Sequence, residues 1–166
     1  MERHTLVAGA VVALLALGPA AATAAAPQKI TFAGVGQVKL GLTFKQLRHK
    51  HLVGRLHRGT CDAAGPNASP FARLRSPLRG QANFTKSVPH TLTDITIRGG
   101  AKARRVGVGD RLAKVKARFP RRQIRHDLGL IFVDIRRTSN IKEQFIVDQG
   151  TRRVTAIGVP FVAICE

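Results

Sequence analysis

The residues of this chain best suited to do chemistry are its cations. The segment 102–125 holds ten Lys or Arg residues and one acid, Asp110. On a helix that starts after Asp110, Lys114 and Arg118 are four positions apart, and like charges at that spacing repel. A partner carrying phosphates or carboxylates would relieve this repulsion. The pattern predicts an anion-binding face made by Arg111, Lys114, Arg118, Arg121 and Arg122. The alternative is a solvated face in an arginine-rich protein.

The charge of the whole chain agrees with an anionic partner. There are 28 Lys+Arg against 9 Asp+Glu, a formal net charge of +19. Such an excess bears on solubility and on partners, not on the fold. Nucleic acid is disfavoured because the chain has no Trp or Tyr on which bases could stack. Wall polymer or a membrane surface is therefore the favoured class of partner, and a protein partner is the alternative.

Catalytic chemistry finds little support in the residue types. A hydrolase of the triad type needs a nucleophile, a base and an orienting acid in one site. The chain has no Gly-x-Ser-x-Gly elbow and only eight acids after Glu2. We expect a protein that is not an enzyme, with no catalytic residue and no cofactor.

Two further patterns have ordinary structural explanations. His49, His51 and His57 suggest a metal site, but helical residues two apart point in different directions. Neighbouring Lys and Arg side chains would also repel a metal cation. The pairs Gly34/Gly36 and Gly107/Gly109 lack the third Gly and the Lys-Ser/Thr of phosphate-binding loops. We therefore expect solvated histidines, turns before helices, and no metal site.

The N-terminus predicts export. Residues 5–17 are almost wholly apolar and lead into an alanine-rich tract, which is typical of a signal peptide covering residues 1–26. A retained N-terminal anchor is the alternative. No later stretch approaches the roughly 20 apolar residues that a spanning helix needs. In a secreted protein outside the cell, Cys61 and Cys165 are expected to form a disulfide, with Cys61 as a free nucleophile the alternative.

A pattern near the first glycines returns later in the chain. Residues 38–47 are echoed by residues 106–115, with Gly41 aligned on Gly109 and Phe44 on Leu112. Such a repeat predicts two related units. We place them at residues 27–100 and 101–166, joined in one compact mature unit.

Each unit is expected to contain one helix followed by antiparallel strands. Thr43 and Gln46 have the spacing of a capping box, which predicts a helix from Phe44 to about Leu52. A second helix is expected to begin at Asp110 as its cap and to end at Pro120. Alternating or apolar runs predict strands at 29–33, 71–75, 81–84, 92–98, 128–135, 144–147 and 154–164. The expected class is α+β, with two tandem helix-plus-antiparallel-sheet repeats linked by one disulfide.

A resemblance to known proteins rests on three features of the sequence. These are the motif Leu40-Gly41-Leu42-Thr43-x-x-Gln46-Leu47, the duplication and the two cysteines. The chain resembles small exported actinobacterial proteins with tandem helix-plus-sheet repeats. In outline these are similar to the β-lactamase inhibitory protein and, per repeat, to the SmpA/OmlA envelope lipoproteins. The resemblance implies a sheet with an open face, but the lipobox cysteine of the lipoproteins and the Trp and Tyr anchors of an inhibitor are missing.

These observations lead to one expected function and one alternative. The expected function is a secreted, non-enzymatic binding protein whose basic surface holds anionic envelope material, either wall polymer or lipid headgroups. The alternative is a protein-binding module or enzyme inhibitor that uses an exposed sheet face.

Overall fold

The computed structural model describes residues 26–59 and 69–163. Of these residues, 53% lie in strands and 10% are helical. The expected α+β class is therefore wrong, and the protein is mainly β. The physical reason is that both helices stop after two turns or less, while the segments around them pair as strands.

The elements follow one another in a simple order. In the first half they are β1 Gln28–Thr31, β2 Gly34–Val35, β3 Val38–Lys39, α1 Phe44–His49, β4 Val53–His57, β5 Phe71–Leu74, β6 Arg79–Phe84 and β7 Leu92–Gly99. In the second half they are β8 Ala101–Ala103, β9 Val106–Gly107, α2 Leu112–Arg118, β10 Gln123–Asp127, β11 Leu130–Arg137, β12 Asn140–Asp148 and β13 Val154–Val159.

The strands form two sheets. The larger has eight strands in the order β10-β11-β12-β13-β7-β6-β5-β4, and all of its pairs are antiparallel. The pairing of β13 with β7, in which Ile157 faces Ile97, joins the two halves into one continuous sheet. The smaller has five strands in the order β3-β2-β1-β8-β9. Its β1–β8 pair is parallel and also joins the halves.

The two halves make matching backbone hydrogen bonds. The amide of Gly41 donates to the carbonyl of Leu92 at 3.0 Å, and that of Gly109 donates to the carbonyl of Val154 at 2.8 Å. In each half these bonds tie the turn before the helix to the start of the last strand of the four-stranded meander. The helices are therefore held against the large sheet in the same way.

Helix α1 begins as its sequence predicts. The hydroxyl of Thr43 accepts from the amide of Gln46 at 3.2 Å, and the Gln46 side chain accepts from the amide of Thr43 at 2.8 Å. This confirms the capping box. The helix ends at His49, earlier than the expected Leu52, because His51 adopts a left-handed conformation with φ 55°.

Helix α2 begins differently from the prediction. Its N-cap is Arg111, which makes no side-chain capping bond, so the expectation that Asp110 is the cap is wrong. The Asp110 carboxylate instead accepts from the amide of Gly107 at 2.8 Å, in the turn that precedes the helix. The helix ends before Pro120, as expected, and Leu112, Val115 and Phe119 are buried.

The main core lies between the helix side of the large sheet and the small sheet. It includes Leu47 of α1, Val115 of α2 and alternate residues of the long strands, such as Phe84 and Phe145. A second, smaller cluster contains Phe132, Ile146, Ala156 and Val162, with Leu130 packed against it. Because Phe132 and Ile146 alternate along their strands with residues of the main core, this second cluster lies on the opposite face of the large sheet.

Two expectations fall outside the described residues. Cys61 and Cys165 are not among them, so the expected disulfide stays a prediction. The expected signal peptide, residues 1–26, also lies outside them except for Ala26. Within residues 26–59 and 69–163, no helix is long and apolar enough to cross a membrane.

Candidate anion-binding site

The five cations predicted to bind anions lie on or next to α2, but they differ in their surroundings. Arg111, Arg118 and Arg121 are exposed, and within the described chain their side chains make no hydrogen bond or ion pair. These three guanidinium groups are available to a ligand. Lys114 and Arg122 are not, because each is committed to the protein itself.

Lys114 of α2 forms an ion pair with Asp110 in the turn before the helix. Its ammonium lies 2.8 Å from the Asp110 carboxylate, with 40% of the lysine side chain exposed. Burial raises the pKa of Asp110. The hydrogen bonds from Lys114 and Gly107, with the charges of Lys114 and Lys102, lower it by more, and the net pKa lies below its ordinary value. Asp110 thus stays ionised and neutralises part of the predicted face.

Arg122 stabilises the end of α2. Its Nη1 donates toward the carbonyl oxygens of Lys116, Phe119 and Pro120 at 3.2, 3.0 and 3.3 Å. The last carbonyls of a helix have no partner within the helix, and an arginine is well suited to satisfy them. Arg122 is therefore a capping residue of α2, not a free anion ligand.

A concave basic site adjoins α2 and was missed by the sequence analysis. It is a cavity of about 380 Å³ lined by Pro27, Gln28, Lys29, Lys102, Arg104 and Arg105, which we call the basic pocket. Lys29 and Lys102 are direct partners in the parallel β1–β8 pair. Like charges placed opposite each other on neighbouring strands destabilise a sheet. The two lysines therefore repel each other, and Asp110 offsets part of the charge of Lys102.

The two arginines of the basic pocket come from the turn between β8 and β9. Arg104 and Arg105 have φ values of 44° and 70°, in the left-handed region that costs energy for a residue with a side chain. The guanidinium carbon of Arg104 lies 5.2 Å from the ring centre of Phe119, the residue that follows α2. A cation–π contact of this kind holds the guanidinium at the junction between the basic pocket and α2.

Two acids lie near the basic pocket. Asp110 is ionised, and the charge of Lys102 helps to lower its pKa. Glu143 on β12 is 3% exposed, and its Oε1 has no hydrogen-bond partner among the described residues. Burial raises the pKa of Glu143 to about 8, although the charge of Arg104 acts to lower it. At neutral pH Glu143 is therefore mainly protonated and does not neutralise the positive charge of Arg104.

The histidines do not converge on a metal site. His49 ends α1, His51 follows it, and the ring of His57 stacks on Phe71 at 5.2 Å. Among the described residues no group of three His, Cys, Asp or Glu side chains could hold a metal ion. His57 and His90 instead line a larger cavity of about 570 Å³ together with Arg58 and Lys86.

We favour the smaller cavity as the candidate site because more Lys and Arg residues line it. Four Lys or Arg residues line the basic pocket, against two in the larger cavity. The predicted residues Arg111, Arg118 and Arg121 also lie around α2, and Phe119, which follows α2, contacts Arg104. The charge count over residues 102–125 pointed to this region. It did not reveal Lys29, because the β1–β8 pairing joins segments far apart in sequence.

The chain matches no protein-family model, no curated protein and no solved structure. The resemblance to the β-lactamase inhibitory protein and to the SmpA/OmlA lipoproteins therefore stays a hypothesis.

Proposed function

We propose that this is a secreted, non-enzymatic binding protein whose basic surface holds anionic material of the cell envelope, either wall polymer or lipid headgroups. The observation that carries the proposal is the basic pocket, which gathers Lys29, Lys102, Arg104 and Arg105 around one cavity. Arg111, Arg118 and Arg121 extend the positive surface around α2. We call these seven residues the basic surface.

The electrostatic balance supports a polyanionic ligand. The described residues contain two ion pairs, Lys114 with Asp110 and Arg125 with Asp134. The seven cations of the basic surface take part in neither. A polymer or membrane with regularly spaced negative groups would offset their mutual repulsion at several points at once, and such binding weakens as salt screens the charges.

The proposal is tested by binding to purified wall polymer and to anionic vesicles over a range of salt concentrations. The test variant carries Arg111→Gln, Arg118→Gln and Arg121→Gln. The matched control carries Arg55→Gln, Arg73→Gln and Arg75→Gln, which remove the same charge from exposed positions at the far end of the large sheet.

We expect wild-type binding to persist above physiological ionic strength, to fall strongly in the test variant and to change little in the control. Equal losses in both variants would show that net charge alone causes retention. No binding of wild type to either material at physiological salt would also overturn the proposal.

One observation favours the alternative, a protein-binding module or enzyme inhibitor. The second apolar cluster lies on the face of the large sheet away from the helices, and Phe161 beside it is 46% exposed. A protein held there by apolar contacts should be retained from an envelope extract at high salt, where a ligand of the basic surface is released.

A further inference from the structure

We propose that the basic pocket is a phosphate-binding site: it takes a phosphate group of the anionic material in preference to a carboxylate. This inference rests on the proposed function and identifies the chemical group that the pocket recognises. The phosphate could belong to a phosphodiester-linked wall polymer or to a phospholipid headgroup, and the experiment below distinguishes these sources.

The basic pocket concentrates positive charge. Lys29 and Lys102 are opposite each other on adjacent parallel strands, which in sheets are separated by about 4.8 Å. Arg104 and Arg105 follow on the turn that ends β8. All four line one cavity, and no acid is among its described lining residues. A single carboxylate carries one negative charge, whereas a phosphate monoester carries up to two and adjacent phosphodiesters carry one each.

The hydrogen-bond donors of the basic pocket suit a phosphate group. A guanidinium presents its N–H groups in a planar fork that matches two oxygens of a phosphate, while a lysine ammonium acts as a mobile point charge. The basic pocket supplies two groups of each kind. A tetrahedral phosphate can accept from both kinds at once because its oxygens point in different directions.

Two features of the fold hold Arg104 in position. Its guanidinium lies over Phe119, and its backbone is held in the left-handed region together with that of Arg105. Backbone conformations of this kind persist where surrounding structure enforces them, and they concentrate at binding sites. The cavity of about 380 Å³ falls within the range of small-molecule sites, so there is room for the group that carries the phosphate.

The test compares ligands that differ in the anionic group. Isothermal titration measures binding of a glycerol-phosphate polymer and of a polyuronate of similar length and charge. Two vesicle arms, one with phosphatidylglycerol and one with a carboxylate-bearing anionic lipid, report on a lipid source. The test variant is Arg104→Asn with Arg105→Asn, since Asn tolerates positive φ. Its matched control is Arg55→Asn with Arg75→Asn.

We expect wild type to bind the glycerol-phosphate polymer roughly tenfold or more tightly than the polyuronate. The test variant should lose that preference, whereas the control should keep it. Lys29→Gln with Lys102→Gln should lose it as well, which provides a second variant if the arginine changes disturb folding. Preference for phosphatidylglycerol vesicles over the polymer would assign the phosphate to lipid.

Equal affinity of wild type for phosphate and carboxylate ligands overturns the inference but leaves the proposed function intact. Thermal unfolding shows whether the two pocket variants are folded. If both are folded and still prefer phosphate over carboxylate ligands, the inference is overturned too. Failure of the proposed function looks different, because wild type would then bind none of the ligands at physiological salt.

Discussion

Gln144 and Asp134 are joined by a hydrogen bond of 2.8 Å across the β11–β12 pair, and both side chains are buried. The other end of the Gln144 side chain accepts from the amide of Val162 at 3.1 Å. Arg125 reaches the second oxygen of Asp134 at 3.2 Å. Gln144 thus connects a buried carboxylate in the large sheet to the segment that follows β13.

Replacing Gln144 by Ala should lower the free energy of unfolding by about 2–3 kcal/mol. The change removes a donor from a buried charge and leaves the amide of Val162 unpaired, and buried groups without partners are costly. Urea unfolding followed by circular dichroism measures the loss. Gln37→Ala, at an exposed position between β2 and β3, is the control and should change stability by less than about 0.5 kcal/mol. Similar stability of the two variants would contradict the assigned role.

Glu143 should make the stability of the fold depend on pH. Burial raises its pKa from the ordinary value of 4.5 to about 8 in the folded protein. Between these values the unfolded chain is ionised while the folded chain keeps the proton. The stability that comes from holding the proton is full below pH 4.5 and is lost as the pH rises through about 8.

The variant Glu143→Gln should therefore match wild type near pH 4 and exceed its stability increasingly as the pH rises. By pH 8 the difference is on the order of a few kcal/mol. Unfolding curves at several pH values measure it. A constant difference across this range would refute the assignment.

The pKa of Asp148 is shifted in the opposite direction to that of Glu143. The backbone and side chain of Thr151 donate to its carboxylate, both at 2.7 Å, and these bonds lower the pKa of Asp148. Its contribution to stability is present above its unfolded pKa and is lost as the pH falls through its lower folded value. Asp148→Asn should thus be less stable than wild type at neutral pH and should approach it in acid.

The start of α1 yields a fourth prediction. Thr43→Ala removes the hydroxyl that accepts from the Gln46 amide, and the loss of such a cap costs about 1 kcal/mol. Thermal unfolding should show the decrease. Lys45→Ala, exposed on the same helix, should leave stability nearly unchanged. A fully stable Thr43→Ala would mean that packing alone fixes the start of the helix.

Local patterns were the part of the fold that could be predicted from sequence. The capping box of Thr43 and Gln46 depends on residues three positions apart, and it is confirmed. The α+β class failed because six strands were not predicted: β2, β3, β4, β8, β9 and β10. Of these, β2, β3 and β9 are two residues long, too short to show a period. Strand β10 lies at the edge of the large sheet and is mostly exposed, so it has no apolar pattern.

The sequence predicted the positive charge of the candidate site but not the arrangement of its residues. The excess of cations in residues 102–125 drew attention to the region of α2, but Lys114 and Arg122 are engaged within the protein. Nothing in the local sequence places Lys29 opposite Lys102, because a parallel pairing between distant segments depends on the whole fold. The hydrogen bonds and ion pairs that individual side chains form likewise depend on tertiary contacts.

Gly158, near the end of β13, is where the following chain crosses the large sheet. A Cβ built on it would lie 2.1 Å from the carbonyl carbon of Phe161 and 2.3 Å from the amide nitrogen of Val162. These are backbone atoms, so a side chain cannot be accommodated by a change of rotamer. The segment 160–163 must move if position 158 carries even a methyl group.

Gly158→Ala should therefore destabilise the protein by about 1–3 kcal/mol, the usual cost of overpacking a filled site. It should also displace Val162 from Phe132 and Ile146, the second apolar cluster, and expose the C-terminal segment to limited proteolysis. The matched control is Gly150→Ala, where the nearest atom to the new methyl group lies at an ordinary 3.6 Å. That variant should unfold and resist protease much as wild type does. If Gly158→Ala is as stable and as resistant as Gly150→Ala, the segment does not pack against the sheet in the way described.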